Sequence, residues 1–147
     1  MKSFIETLNI NNVKIFRKTV DTLQVNMGKL CNQACVHCHV EAGPKRTEIM
    51  NISVVQQILN LLRKKNNIKV VDITGGAPEI NDNFKYFIKE LRLLKLKIID
   101  RCNLTVLHEK GQENTALFLA KNKVAITASL PCYTEQNVEK QRGRGVF

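Results

Sequence analysis

The chain has 147 residues, 44% hydrophobic and 24% charged, which is enough for one domain with a modest core and excludes a disordered tail. Its formal net charge of +10 is spread along the chain, a solvated basic surface open to anions and nucleotide cofactors, and no nucleic-acid partner is expected. No apolar run reaches the ~20 residues of a membrane span, Met1 to Asn12 lacks the features of a secretory leader, and the odd number of cysteines argues against a disulfide framework, so a cytoplasmic location away from membranes is expected.

Residues 1–19 read as an N-terminal extension and 20–147 as a core. "DTLQVNMGKLCN" alternates Leu23, Val25 and Met27 and predicts a strand running into a loop. "NISVVQQILNLLRKKNN" repeats Ile52, Val55, Ile58, Leu59 and Leu62 at helical spacing, with basic residues crowding its end. "IKVVDITGGAPE" is an apolar run closed by Gly75, Gly76 and Pro78, hence a buried strand and a turn. "NDNFKYFIKELRLL" is helical, with Phe84, Phe87, Ile88 and Leu91 on one face. "KLKIIDRCN" predicts a third strand, "GQENTALFLAKN" a short helix, and "KVAITASLPC" a fourth strand ended by Pro131. "TEQNVEKQRGRGVF" begins as a helix or helical loop.

Strands alternating with helices imply βαβ units and a parallel sheet. Sites in such sheets gather at the carboxyl ends of the strands. The unusual residues fall there: the cysteine loop after strand one, Gly75, Gly76 and Pro78 after strand two, Cys102 and Asn103 after strand three, and Ser129, Pro131 and Cys132 after strand four. Asp72, Asp100 and Arg101 lie near strand ends, where core pairing and a site role are both open.

The loop "LCNQACVHCHV" spaces Cys31, Cys35 and Cys38 as C-x3-C-x2-C. Thiolates at this spacing suit zinc, copper(I) or an iron–sulfur cluster. A zinc ion would need a fourth ligand. His39 adjoins Cys38 and His37 lies between Cys35 and Cys38, so neither joins the same tetrahedron without strain, and His108, Cys102 or Cys132 would have to reach in. A zinc-binding structural or interaction module with a basic surface is therefore the alternative reading. Cys35, Cys38 and His39 also form C-x-x-C-H, a haem-attachment pattern that calls for export and leaves Cys31 idle. A thioredoxin-like Cys35–Cys38 pair suits βαβ surroundings and again leaves Cys31 unexplained. Three buried structural cysteines so close together in a loop are the plainest alternative. A cubane iron–sulfur cluster can be held by three cysteines with its fourth iron open.

This loop after the first strand resembles the signature of the radical SAM superfamily. The resemblance implies a [4Fe-4S] cluster on Cys31, Cys35 and Cys38 whose open iron binds S-adenosylmethionine and delivers the electron that yields a 5′-deoxyadenosyl radical. "TGGAPE" resembles the family's G-G-E-P motif, with Ala77 where Glu is frequent and Glu79 two positions later; Gly75, Gly76, Ala77 and Pro78 then form the backbone wall for the methionine amino group. "ASLPC…RGRGVF" resembles the family's "S-L-D … R-G … G-x-F" stretch, which implies cofactor contacts from Ser129 and Arg142; Pro131 replaces the usual Asp. Together "NMGKLCNQACVHCHVEAGP", "DITGGAPE", "DRCNLTVL" and "ASLPCYTEQNVEKQRGRGVF" are similar to the arsenosugar biosynthesis radical SAM protein family, from about residue 20 onward.

The resemblance implies an α/β fold: a partial (β/α) barrel of the radical SAM type, truncated after about four βα units, since the family core carries further strands. An incomplete chain of this kind is expected to be inactive by itself. The implied reaction joins the adenosyl group to a methylated arsenic compound, a small-molecule substrate, with an electron donor such as a flavodoxin or ferredoxin. Cys102 and Cys132, on the same rim, are candidates to capture arsenic, against the alternative that both are buried core cysteines.

Overall fold

The computed structural model describes residues 2–64 and 67–147. Four strands form one sheet: β1 (Thr22–Asn26), β2 (Val70–Thr74), β3 (Lys97–Cys102) and β4 (Ala125–Ala128). All neighbours are parallel and the order is β1-β2-β3-β4, so chain order and spatial order coincide. Between the strands run α2 (Ile52–Lys64), α3 (Phe84–Leu93) and α4 (Thr115–Lys121), with a short helix α1 (Phe4–Ile10) before the sheet and α5 (Glu135–Arg142) after it. Sequence patterning marks every one of these elements except α1, which is seven residues long, buries none of them and is started by a capping box of Ser3 and Glu6. The expected run of α2 over residues 65–66 lies outside the described residues.

The apolar periodicities decide which faces are covered. Phe84, Phe87, Ile88 and Leu91 of α3 are all fully buried, as their spacing predicts. Each contributes roughly 1.5–3 kcal/mol relative to an exposed position. In α2 the buried stripe is narrower than expected: Val55, Leu59 and Leu62 are buried, Ile58 packs at the margin and Ile52 faces solvent at the helix start. There Asn51 accepts the Val54 amide on its side chain, which satisfies a free first-turn donor. Both helices close over Val25, Val71, Ile73 and Ile98 to make the main core.

The register places Ile73 beside Asp100 and Asp100 beside Ile126, so these residues share one face of the sheet. Gln24, Asp72 and Arg101 share the opposite face. There the Arg101 Nε and Nη2 grip the Asp72 carboxylate at 2.9 and 2.7 Å, and Gln24 adds a bond at 3.3 Å. That pairing holds the Asp72 carboxyl below its usual range, the Arg101 hydrogen bonds being the main cause and Gln24 adding to them. Of the two readings left open for Asp72 and Arg101, the paired one is realised, with Arg101 still half-exposed at the strand end.

Candidate functional site

The cysteine loop is stitched to the β2 turn by backbone. Gly76 N–H donates to the Gly28 carbonyl and Ala77 N–H to the Leu30 carbonyl, both at 2.9 Å. The approach is close enough that only glycine fits. A Cβ on Gly76 would collide with the Leu30 carbonyl and stand 2.9 Å from the Cys31 Cβ, while Gly75 adopts φ +148°, a region side chains disfavour. The carbonyls of Gly75 and Gly76 accept no hydrogen bond from the described residues.

An open cleft of about 350 Å³ lies over this junction, at the carboxyl ends of the strands. Cys31, Cys35 and Cys38 line it together with Gly75, Gly76, Ser129 and Arg142. Ala77 and Pro78 are buried behind that wall. Cys102 does not reach the cleft: it is 1% exposed and packs below it with Ala77 and Val106. Strand parity is the reason, because Arg101 and Asn103 face the cleft and the residue between them must face away. Cys132 lines an adjoining cavity of about 310 Å³ with His108, Pro131 and Arg142, so Arg142 borders both spaces.

Arg142 is the last residue of α5, 7% exposed. Its Nη1 donates to the Asn103 carbonyl at 3.2 Å, and its Nη2 to the Ser129 carbonyl and, at 2.9 Å, to the Ser129 hydroxyl. The Nε is buried without a partner. An unpaired charged donor in such a place is costly, and a ligand carboxylate is the natural complement of a guanidinium.

The thiols sit in weak donor fields. Cys31 Sγ accepts from the Gln33 amide at 3.4 Å and from the Asn103 side-chain amide at 3.6 Å; Cys38 Sγ accepts from the Ala42 amide at 3.3 Å. Burial pushes the Cys31 and Cys35 thiols up, opposed at Cys31 by the Gln33 amide and at Cys35 by the Arg142 charge. Cys132 is shifted the other way, chiefly by the Thr134 backbone amide.

Among the described residues, the one set of three or more potential ligand atoms lying within 4.8 Å of one another is Glu79, Asp100 and Cys102, not the loop. A tetrahedral zinc site places its sulfurs about 3.8 Å apart. The three loop sulfurs are not all within 4.8 Å of one another, and His108 and Cys132 line the adjoining cavity instead. Asn103, Arg101 and His37, each weighed from the sequence, also line the cleft, as do Gln33 and Thr127, which the sequence did not mark. Arg101 and Asn103 stood out by their place at the end of the third strand; for Gln33 and Thr127 there was no signal.

A family model described as the radical SAM superfamily matches residues 25–146. The chain is 26% identical over 98 residues to a probable GTP 3′,8-cyclase of Pyrococcus abyssi, covering 67% of this chain and 32% of that protein. It is 31% identical over 70 residues to the putative peptide biosynthesis protein YydG of Bacillus subtilis, covering 48% of this chain and 21% of that protein. It therefore spans about a third or less of the length of these relatives. Streptococcus suis SuiB bound to S-adenosylmethionine superposes with a TM-score of 0.69 at 18% identity, over 95% of this chain and 31% of that one. No helix among the described residues is long and apolar enough to cross a membrane. With the family model running from the end of β1 through the cysteine loop and β2–β4 to the Arg142 helix, the chain belongs to the radical SAM superfamily, whose cofactors are a [4Fe-4S] cluster and S-adenosylmethionine.

Proposed function

We propose that residues 20–147 are the cofactor-binding core of a radical SAM enzyme, preceded by an extension over 1–19. Cys31, Cys35 and Cys38 hold the cluster. Gly75, Gly76, Ala77 and Pro78 form the wall for the methionine end of S-adenosylmethionine, and Ser129 and Arg142 receive its carboxylate. The observation that carries this reading is Arg142: a buried guanidinium pinned by its two terminal nitrogens to the ends of β3 and β4, with Nε unpaired, beside three thiols.

The residues fit both groups. Three thiols that line one open cleft, and are not all gathered within 4.8 Å of one another, leave room for the larger body of a cubane. The free Gly75 and Gly76 carbonyls can accept an ammonium, and arginine can neutralise a carboxylate. When bound there, the pair supplies one-electron cleavage of the sulfonium to give a 5′-deoxyadenosyl radical. The chain's part is to orient and neutralise. Arg142 fixes the charged end, the glycine turn allows backbone contact, and buried Cys31 anchors the loop to the core.

The substrate we read for this site is a methylated arsenic compound, to which the adenosyl group is joined. The stretches "DITGGAPE", "DRCNLTVL" and "ASLPCYTEQNVEKQRGRGVF" support it, as does Cys132, a half-exposed thiol biased toward thiolate in the cavity adjoining the cleft. Trivalent arsenic prefers such soft ligands. A net charge of +10 favours an acidic electron carrier such as a flavodoxin or ferredoxin.

Anaerobic reconstitution with iron and sulfide tests the cofactor site. The protein should gain a broad visible absorption that bleaches with dithionite. Cys31→Ala, Cys35→Ala and Cys38→Ala should each lose the bound iron, and Cys102→Ala should keep it. A colourless protein carrying stoichiometric zinc, or iron loss confined to the Cys102 variant, would overturn the assignment.

A further inference from the structure

Asn103 stands immediately after β3 and joins four parts of the site. Its Oδ1 accepts the Val106 amide at 2.9 Å and the Thr105 hydroxyl at 3.1 Å. Two donors on one atom fix which end of the amide is oxygen, so Nδ2 faces the cysteine loop. Nδ2 donates to the Asn32 Oδ1 at 2.8 Å and to the Cys31 Sγ at 3.6 Å. The Asn103 carbonyl accepts from Arg142. Cys31 is the most buried of the three loop cysteines, and of those three it is the one whose sulfur receives a side-chain amide from the described residues.

We infer that Asn103 sets the reduction potential of the cluster through this N–H···S bond, an inference that rests on the cluster assignment above. A donor aimed at a ligating sulfur stabilises the state with the extra negative charge, and so makes the cluster easier to reduce. The step is the addition of one electron from an external one-electron donor, with no bond made or broken. The other sulfur donors, at Gln33 and Ala42, are backbone amides that only a proline would remove, so Asn103 is the donor that a side-chain change can adjust. It acts through Cys31 and is a positioning residue, not a catalytic one.

The test is a redox titration of the reconstituted protein. Asn103→Asp keeps the oxygen that caps Val106 and replaces the N–H by an acceptor; Asn103→Ala removes both. Both variants should retain the iron content and resting visible spectrum of the parent and show a more negative midpoint, Asp more than Ala because it also adds charge. Midpoints equal to the parent's would overturn the inference. If Ala loses the cluster by unfolding the turn, Asp alone decides. Loss of iron from both variants with circular dichroism unchanged would overturn it too, the amide then serving assembly. Failure of the unsubstituted protein to take up iron would instead sink the cluster assignment.

Discussion

The Asp100 carboxyl meets the Glu79 carboxyl in the layer sealed between the sheet and the helices. Neither has a hydrogen-bonding partner outside their own group with Cys102. Two buried carboxylates cannot both be ionised in such a place. Burial, then the neighbouring Glu79, pushes the Asp100 carboxyl up to about 8 from an ordinary 3.8. Burial raises the Glu79 carboxyl as well, so the two carboxyls share a proton between them, and the pair lies outside the cleft chemistry.

Stability should therefore fall with rising pH. The unfolded chain releases the Asp100 proton near pH 3.8 and the folded chain keeps it to about 8, so folding binds a proton across that window. The contribution is complete below the window and gone above it. Asp100→Asn removes this loss. Urea unfolding should show the variant gaining on the parent as pH rises, by an amount on the order of a few kcal/mol at the alkaline end. Parallel pH profiles for the two proteins would refute the shared-proton pair.

Gly76→Ala and Gly43→Ala separate the two glycines of the loop region. The first drives a methyl into the Leu30 carbonyl; the second meets nothing closer than 4.0 Å at an ordinary backbone angle. Overpacking of this kind costs about 1–3 kcal/mol, and here it also displaces Cys31. Gly76→Ala should lower the melting temperature and the iron uptake together, with Gly43→Ala close to the parent in both. Equal behaviour of the two variants would mean that the loop does not lean on the β2 turn.

The two remaining cysteines should differ toward arsenic. Cys132 borders the cleft-side cavity and is biased toward thiolate, whereas Cys102 is buried and its thiol is pushed far up, by burial first and then by Glu79. In a protein lacking the three loop thiols, a methylated arsenite should protect Cys132 from alkylation, read by mass spectrometry, and Cys132→Ser should abolish that binding. Cys102→Ser should leave it unchanged. Protection of Cys102 instead, or of neither, would remove Cys132 from the proposed substrate path.

The outer edge of β4 has no strand partner among the described residues, and all four of its residues are exposed. Ile126 is 42% accessible there and Leu130 beyond it 73%. Open parallel edges of this kind recruit another strand. The 147-residue chain studied alone should form concentration-dependent oligomers by light scattering, and Ile126→Lys should reduce them. A monomer at all concentrations would show that the edge is already protected.

Much of this was legible because periodicity is a strong signal where one face is buried. Phe84 to Leu91 and the runs around Val25, Ile73 and Ile98 specify both element and face. The cysteine spacing and the glycine pair marked the rim for the same reason: each residue type has few other uses at those positions. What the sequence hid was contact across the sheet. Asp100 reads as a strand-end charge, and nothing local says that it meets Glu79, a residue beyond the β2 turn. Arg142 gave its meaning only as part of a family pattern, since its partners Ser129 and Asn103 lie just beyond the ends of two different strands. Helix α1 stayed unread because a helix that buries nothing carries no periodic stripe.

The backbone bonds from Gly76 to Gly28 and from Ala77 to Leu30 tie the fate of the cysteine loop to the β1–β2 crossover. The two partners in each bond are separated by the whole of α2, so the thiols acquire their spread only after that long loop closes. A synthetic peptide spanning residues 28–43 would hold all three loop cysteines and none of the scaffold. Under the proposed cluster assignment, metal loading would then be a readout of completed folding, and a chain stalled before β2 pairs with β1 would present three unrestrained thiols to the wrong ions.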